Sequence, residues 1–410
     1  MPTLRRWTLL WESPFWSGLL ALVVYGLIAG VSNPGLHASP YSYFGFLADA
    51  LLHGQLNLRL RPPSTLDLSL FNGKYYLYWP PLPAVLMLPF VAVWGVGFSD
   101  VLFTLIIAVA NVSLVALLLR QLCRRRVLRL HRIQRGILVL FFALGTVHVT
   151  LAPFGKVWPT EQLVGFLWVV LAYLAALNME QTAAFFWTGC SFACVFLTRN
   201  HMLFNGLWPA YYLLYTHRRV PWRSLLGFAL VGLAPVVLAI GLLGLYNWQR
   251  FDSLISNGVD YHQMGNHFVG DFVRYGAFSL HYVPRNLFYQ YVAYPLPIRP
   301  ASREGGSLFL LSPVFFAALW GIWRCRHSWS MWVLLGSIVL VAIPILLLLS
   351  TGWVQWGPRY TLDFTVPLLM LTALGVRCRS TRLLSYMTII SVGHYLVGGL
   401  LFSVLSQGFA

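Results

Sequence analysis

The sequence predicts an all-α fold, a polytopic transmembrane helical bundle of about eleven crossings forming a single transmembrane domain over residues 1–410. Three observations carry that expectation. Hydrophobic residues make up 58% of the chain and charged residues only 10%, against about 25% charged in an ordinary soluble domain. Apolar runs of bilayer length recur from end to end, and arginine crowds the short loops between them. Hydrocarbon offers no partner to a backbone N–H or C=O, so each run must satisfy its own backbone as a helix.

The first run, 14–32, follows a basic amino terminus with Arg5 and Arg6. It is too long for a signal-peptide apolar region and has no small-residue cleavage site, so it reads as a retained helix. Further crossings are expected at 100–120, 136–153, 162–178, 183–198, 202–216, 224–246, 307–323, 330–350, 362–376 and 383–406. The run 80–97, PPLPAVLMLPFVAVWGVG, reads differently. As a crossing it would place the basic loop RQLCRRRVLRLHRIQR outside, against the charge rule. It is expected to be a proline-broken re-entrant helix, buried by protein at membrane depth.

With that choice the charges sort by side. Seventeen arginines with Glu12 and Glu180 fall inside, and eleven basic and nine acidic residues outside, for net charges of +15 and +2. The net charge of +17 is therefore a topology signal, and nucleic acid is not expected as a partner. The expected setting is a bacterial plasma (inner) membrane, with the amino terminus cytoplasmic and the long loops outside. Cys123, Cys190, Cys194, Cys325 and Cys378 lie in apolar runs or arginine-rich loops and imply no disulfide framework.

Two outer loops are too long to be plain connectors. The first, 33–79, contains YSYFGFLADALLHG (41–54), whose near-helical apolar spacing ends at Gly54; it is expected to lie along the membrane surface. The second, 247–306, carries twelve aromatic residues with His262, His267 and His281, and suits the bilayer interface. No internal repeat or transporter-like symmetry is evident.

Polar residues that carry chemistry gather in three outer stretches. The first loop combines Asp49, His53, Arg59, Arg61, Asp67 and Lys74. A carboxylate beside a low-dielectric surface can act as a base while cations hold a departing phosphate; the alternative is a solvated helix face. GKVWPTEQ (155–162) places Lys156 near Glu161. Pairing between them would be a surface ion pair of small value, but Glu161 precedes re-entry into the bilayer, where an idle charge is costly. GWVQWGPRYTLDF (352–364) offers Arg359, Tyr360 and Asp363: Arg359 either grips phosphate or carboxylate as a fork or pairs with Asp363 at helical spacing. Arg199 and Asn200 either face a polar cavity or snorkel. The three histidines are too widely spaced for structural zinc, and no phosphate loop, nucleophile elbow or HExxH occurs.

The stretches YFGFLADALLHGQL (43–56), NGKYYLYWPPLPAVLMLPF (72–90) and GPRYTLDFTVP (357–367), in that order, resemble parts of the polytopic GT-C glycosyltransferases, a group that includes protein O-mannosyltransferases and aminoarabinose transferases of lipid A. The resemblance covers most of the chain in layout. It implies a polyprenyl-phosphate-linked sugar as donor, a glycan, lipid or protein acceptor at the outer face, membrane lipids as surroundings, and inversion at the anomeric carbon. It leaves a divalent metal open. The family's catalytic Asp lies about fifteen residues before the helix-ending glycine; counting back from Gly54 reaches Ser39. Asp49 or Glu161 is then the candidate catalytic carboxylate. Lys74, Arg359, Arg59, Arg61 and Lys156 are candidate phosphate ligands, with Tyr43, His53 and Tyr360 beside them. A lipid or polysaccharide transporter, and a non-catalytic binder of lipid-linked sugar, are the alternatives.

Overall fold

The computed structural model describes residues 8–377 and 380–405; Arg5, Arg6, Cys378 and Arg379 lie outside them. The fold is an all-α bundle. Its principal helices are α1 (Pro14–Ser32), α2 (Tyr43–Leu52), α3 (Leu82–Trp94), α4 (Asp100–Arg124), α5 (Arg132–Leu144), α6 (Val157–Asn178), α7 (Gln181–Phe196), α8 (Leu207–Thr216), α9 (Trp222–Phe251), α10 (Asn266–Tyr275), α11 (Phe316–Arg324), α12 (Trp329–Leu347), α13 (Thr365–Val376) and α14 (Thr381–Gly393).

Seven helical stretches among the described residues are long and apolar enough to cross a bilayer: 14–32, 100–124, 132–151, 157–178, 222–251, 329–347 and 381–405. The other four expected crossings are helical but shorter or broken. The run 183–198 is the 16-residue α7. The run 202–216 divides into a 3₁₀ segment, Asn200–Gly206, and α8. The run 307–323 is split by Ser312 and Pro313 into Leu308–Leu311, Pro313–Phe315 and α11. The last, 362–376, is the 3₁₀ segment Arg359–Phe364 running into α13. The helix within 80–97 is α3, 13 residues with Pro89 inside. At about 1.5 Å per residue it extends roughly 20 Å, short of a hydrocarbon core of about 30 Å.

Lipid would meet α9, where Leu226, Leu230, Leu233, Val237 and Leu238 are all exposed. The core lies among α4, α5, α6 and α13, where Phe142 stacks on Phe166 at 5.1 Å. Glycines set the closest helix approaches. A Cβ on Gly189 of α7 would sit 1.9 Å from the Gly232 carbonyl oxygen of α9, and one on Gly375 of α13 would sit 1.8 Å from that of Ala317 in α11. Small residues that let backbones approach are the usual device of membrane helix packing.

The first long loop folds over the bundle. Residues 43–50 of α2 are all buried, so this helix is a covered element with no free water-facing side. It packs against α3, and the loop goes on to form a hairpin of β1 (Ser69–Phe71) and β2 (Lys74–Tyr76). Asn72 (φ 49°) and Gly73 (φ 72°) make the turn, the pairing of positive φ values that two-residue hairpin loops demand. The second long loop joins the same small sheet. Asp67 N–H donates to Gln263 O (2.7 Å), Gln263 N–H donates to Leu68 O (2.8 Å), and Ser69 bridges His262 in antiparallel register.

Charge divides the bundle's two ends. At one, Glu12 accepts from Arg135 at 2.7 Å and lies 3.7 Å from Arg120. At the other stand Asp100, Glu161, Asp363 and the two folded long loops.

Candidate functional site

Helix α6 begins directly after Lys156, and spacing of three and four residues puts Trp158, Glu161 and Gln162 on one face of its first turns. Helix α7 ends opposite, delivering Arg199 and then His201 and Asn205 from the 3₁₀ segment. The segment Arg359–Phe364 completes the ring. Arg199 joins two acids: Nη1–H donates to Glu161 Oε2 at 2.5 Å and Nε–H to Asp363 Oδ2 at 2.8 Å. His201 Nε2 meets the same Asp363 oxygen at 2.8 Å, and Gln162 Nε2–H donates to Asp363 Oδ1 at 3.1 Å. Glu161 is 3% and Asp363 1% exposed, so only this dense pairing makes the charges tolerable. Among the described residues no donor reaches the second Glu161 oxygen.

Arg359 does not pair with Asp363. That alternative assumed 3.6 residues per turn, but 359–364 is 3₁₀ helix. At 3.0 residues per turn, positions four apart point about 120° away from each other. Asp363 therefore turns to Arg199, while Arg359 lies over the Tyr360 ring (4.8 Å), donates to the Tyr360 hydroxyl (3.1 Å) and flanks Trp158 (6.0 Å). Its Nε is buried with no hydrogen-bond partner. Arg199 also lies near the Tyr360 ring, at 5.4 Å, so one aromatic ring has two guanidinium groups close to it, a favourable if modest contact.

Lys156 is half-buried, its ammonium 5.7 Å from the Tyr41 ring centre. It does not pair with Glu161. Burial holds this lysine below its usual range; Asp100 works against the shift and Arg359 adds to it. Its backbone has φ 120°, a strained conformation for a residue with a side chain. Asp100 maintains it: Oδ2 accepts the Lys156 N–H at 2.8 Å and the Ser39 hydroxyl at 2.6 Å, and Oδ1 accepts the Ser39 N–H at 2.7 Å. A Cβ on Gly155 would lie 2.5 Å from the Val101 nitrogen, so only glycine fits this corner. The acid-free position Ser39 thus abuts a carboxylate supplied by α4.

The remaining expected residues form a separate group. Arg59 Nε–H and Nη2–H donate to the two Asp49 oxygens at 3.0 Å each, with His53 Nδ1 3.8 Å from Asp49 Oδ1. Asp49 raises the Arg59 pKa through that hydrogen bonding. Arg61 lies 5.9 Å over Tyr75, and Lys74 is exposed next to the hairpin turn. The Tyr43 hydroxyl donates to Leu66 O at 2.7 Å and pins the loop. Glu161, Lys156, Arg359 and Tyr360 therefore converge; Asp49, His53, Arg59, Arg61 and Lys74 stand apart from them. Asp100, His201 and Gln162 were missed as site residues. Arg199 carried a signal, a charge between two apolar runs, whereas nothing local marks Asp100, which opens α4 like an ordinary acidic first-turn residue. Among the described residues no three metal-ligating side chains converge.

Fold and site together define a polytopic helical membrane protein with a buried acid–base cluster at one end. No protein-family model matches the chain, and no curated protein does. Among solved structures it is similar to ArnT from Cupriavidus metallidurans bound to undecaprenyl phosphate, with 15% identity, coverage of 94% of this chain and 63% of that one, and a TM-score of 0.48. It is also similar to the Archaeoglobus fulgidus oligosaccharyltransferase in its apo form (13%, 94% and 55%, 0.45). A third is AglB from Archaeoglobus fulgidus with an inhibitory peptide and a dolichol-phosphate (13%, 92% and 56%, 0.44). The chain spans 63% of the ArnT length and less of the others.

Proposed function

We propose that this chain is an inverting membrane glycosyltransferase that moves a sugar from a polyprenyl phosphate to a hydroxyl of a glycan, lipid or protein acceptor. The observation that supports it is a carboxylate with one unbonded oxygen, Glu161, standing among two cations that no carboxylate pairs with among the described residues, Arg359 and Lys156. Glu161 takes the acceptor proton. The acceptor oxygen bonds to the anomeric carbon as the bond to phosphate breaks on the opposite side, and Arg359 with Lys156 balances the charge left on the prenyl phosphate. No general acid is needed, because phosphate leaves without a proton. In this reading Asp49 is a structural acid, saturated by Arg59, and the acid-bearing end of the bundle faces outward with the amino terminus inside.

The test uses reconstituted protein and a labelled polyprenyl-phosphate sugar. Release of prenyl phosphate is expected, and Glu161→Gln should slow it by about 10² to 10⁴, the span of a general base. Donor binding without turnover would mark a non-catalytic lipid-sugar binder, and passage of intact lipid-linked sugar across the vesicle would mark a transporter.

A further inference from the structure

Next to this cluster, but contributed by the two long outer loops, lies a group that the phosphate and base roles do not use. Asp67 sits at φ 62°, on the turn where the first loop begins to pair with the second. Its Oδ2 accepts the Trp158 indole N–H at 3.1 Å. Its Oδ1 lies 3.6 Å from His262 Nε2, beyond hydrogen-bond reach. The tautomer of the neutral imidazole follows from its other nitrogen. His262 Nδ1 is 3.1 Å from the Val259 carbonyl oxygen, and a carbonyl can only accept, so Nδ1 carries the hydrogen. In the neutral ring Nε2 is then a bare acceptor. With the ring neutral, Asp67 Oδ1 and His262 Nε2 are two acceptors from different loops 3.6 Å apart, and neither supplies what the other lacks. A hydroxyl donor would satisfy both.

The surroundings fit a polyhydroxylated molecule. The Tyr78 ring lies 5.5 Å from His262 and stacks on Trp79 at 3.9 Å. Trp158 adds its indole ring, 5.1 Å from that of Tyr41. Aromatic rings beside hydroxyl-reading acceptors present an apolar face and a polar edge together, as the surface of a sugar ring does. Burial and the nearby Asp67 push the Tyr78 phenol well above its usual range, so it stays a neutral O–H. Position ties the group to the centre already described. Trp158 is one turn before Glu161 on the same face of α6, and the Arg359 guanidinium is 6.0 Å from its ring.

We propose that Asp67 and His262, with Trp158 and Tyr78, form the binding site for a hydroxyl-bearing, sugar-like acceptor. The site assembles only when the first and second outer loops pair, through Asp67–Gln263, Leu68–Gln263 and the Ser69 hydroxyl donating to Gly258 O at 2.8 Å. This inference rests on the transferase reading for the use of the site, but not for its existence.

Two measurements separate them. The first is saturation-transfer NMR on protein in lipid nanodiscs, with methyl α-glucoside and N-acetylglucosamine as probes. Wild type should show saturation of the sugar protons, Asp67→Asn and His262→Phe should lose it, and Glu161→Gln should keep it. Trp158→Phe keeps one aromatic ring while removing the indole donor to Asp67 and should weaken the saturation without abolishing it; thermal melts check the fold of each variant. The second is the kinetic split in the transfer assay, where Asp67→Asn should raise the acceptor KM by about tenfold or more, the worth of one hydrogen bond to a charged group, with the donor KM within about twofold. Glycoside binding lost with Asp67→Asn, in a protein without transfer activity, would support the site and sink the transferase reading. Transfer whose acceptor KM ignores both substitutions, or wild-type protein that saturates neither probe, would overturn the site.

Discussion

Replacing Arg199 by methionine tests whether the buried ion cluster holds this end of the bundle together. The guanidinium reaches Glu161 at 2.5 Å and Asp363 at 2.8 Å, whose side chains are 4% and 0% exposed. Methionine keeps most of the volume and removes the charge, leaving two carboxylates that face each other without their common cation. Breaking a buried pair in this way costs roughly 3–5 kcal/mol. Asp363 retains His201 and Gln162, and either acid can bind a proton, so the lower end, about 3 kcal/mol, is expected. The compensating change is Glu161→Gln, which removes the acid with the fewest remaining partners. The double variant should recover about 1–2 kcal/mol of the loss, a coupling of the size expected for residues in one network. Reversible unfolding in mixed micelles would read all three proteins. If Arg199→Met unfolds within about 0.5 kcal/mol of wild type, the range of an ordinary surface change, the cluster is not a structural keystone. A double variant no more stable than the single one would show that the two acids are not coupled through Arg199.

Three other substitutions probe the cations and the helix contacts. Arg359→Ala should slow prenyl-phosphate release about 10²- to 10³-fold, as removal of a group stabilising developing charge does, with little change in unfolding. Lys156→Met should move both readouts. Burial lowers this lysine's pKa, so its charged form is disfavoured in the folded state at neutral pH, and that penalty lessens as pH rises towards and through the lowered value. Methionine should therefore stabilise the ligand-free protein by roughly 0.5–2 kcal/mol and weaken donor binding. Gly375→Ala would put a Cβ 1.8 Å from the Ala317 carbonyl oxygen, prising α11 from α13 at a cost of about 1–3 kcal/mol; unchanged stability would show that the two helices slide apart freely.

The helical class was legible in the sequence because a bilayer leaves the backbone so few options, and apolar run length reports that constraint directly. The breaks inside the runs were less visible. Ser312–Pro313 divides one expected crossing and was readable as a proline stop, whereas the 3₁₀ turns at 200–206 and 359–364 carry no such mark. The same blindness bears on one of the two readings of Arg359: the helical period offered a partner four residues on, and the tighter turn took that partner away. The hairpin was in plain sight as Asn72–Gly73, the strongest short-range turn signal, but a long polar loop beside membrane runs drew attention to its charges instead. Glu161 and Lys156 stand out in the sequence because charges at the edge of an apolar run are conspicuous. Their pairings do not, since Arg199 lies 38 residues from Glu161 and Asp100 lies 56 residues from Lys156 along the chain, and no local pattern links positions at that distance.

The two halves of the cluster differ in how completely their charges are answered, and that difference gives the site its direction. Every acid near the centre has its donors. Asp100 has Ser39 and the Lys156 backbone, Asp363 has Arg199, His201 and Gln162, and Glu161 has Arg199 on one oxygen. Among the described residues Lys156 and Arg359 have only rings and a hydroxyl: Tyr41 for Lys156, and Tyr360 with Trp158 for Arg359. Cation–π contact offsets part of the cost of a half-buried charge but not the whole of it. Lys156 is in addition held at φ 120° by a carboxylate that binds its backbone and leaves its ammonium free. A chain selected for stability alone would have turned that lysine towards Asp100 or out to water. Local rules are broken in this way where a ligand completes the arrangement. An anion with several acceptor oxygens, arriving along the lipid between Lys156 and Arg359, would satisfy both cations at once and leave the unbonded oxygen of Glu161 facing whatever hydroxyl stands beyond it.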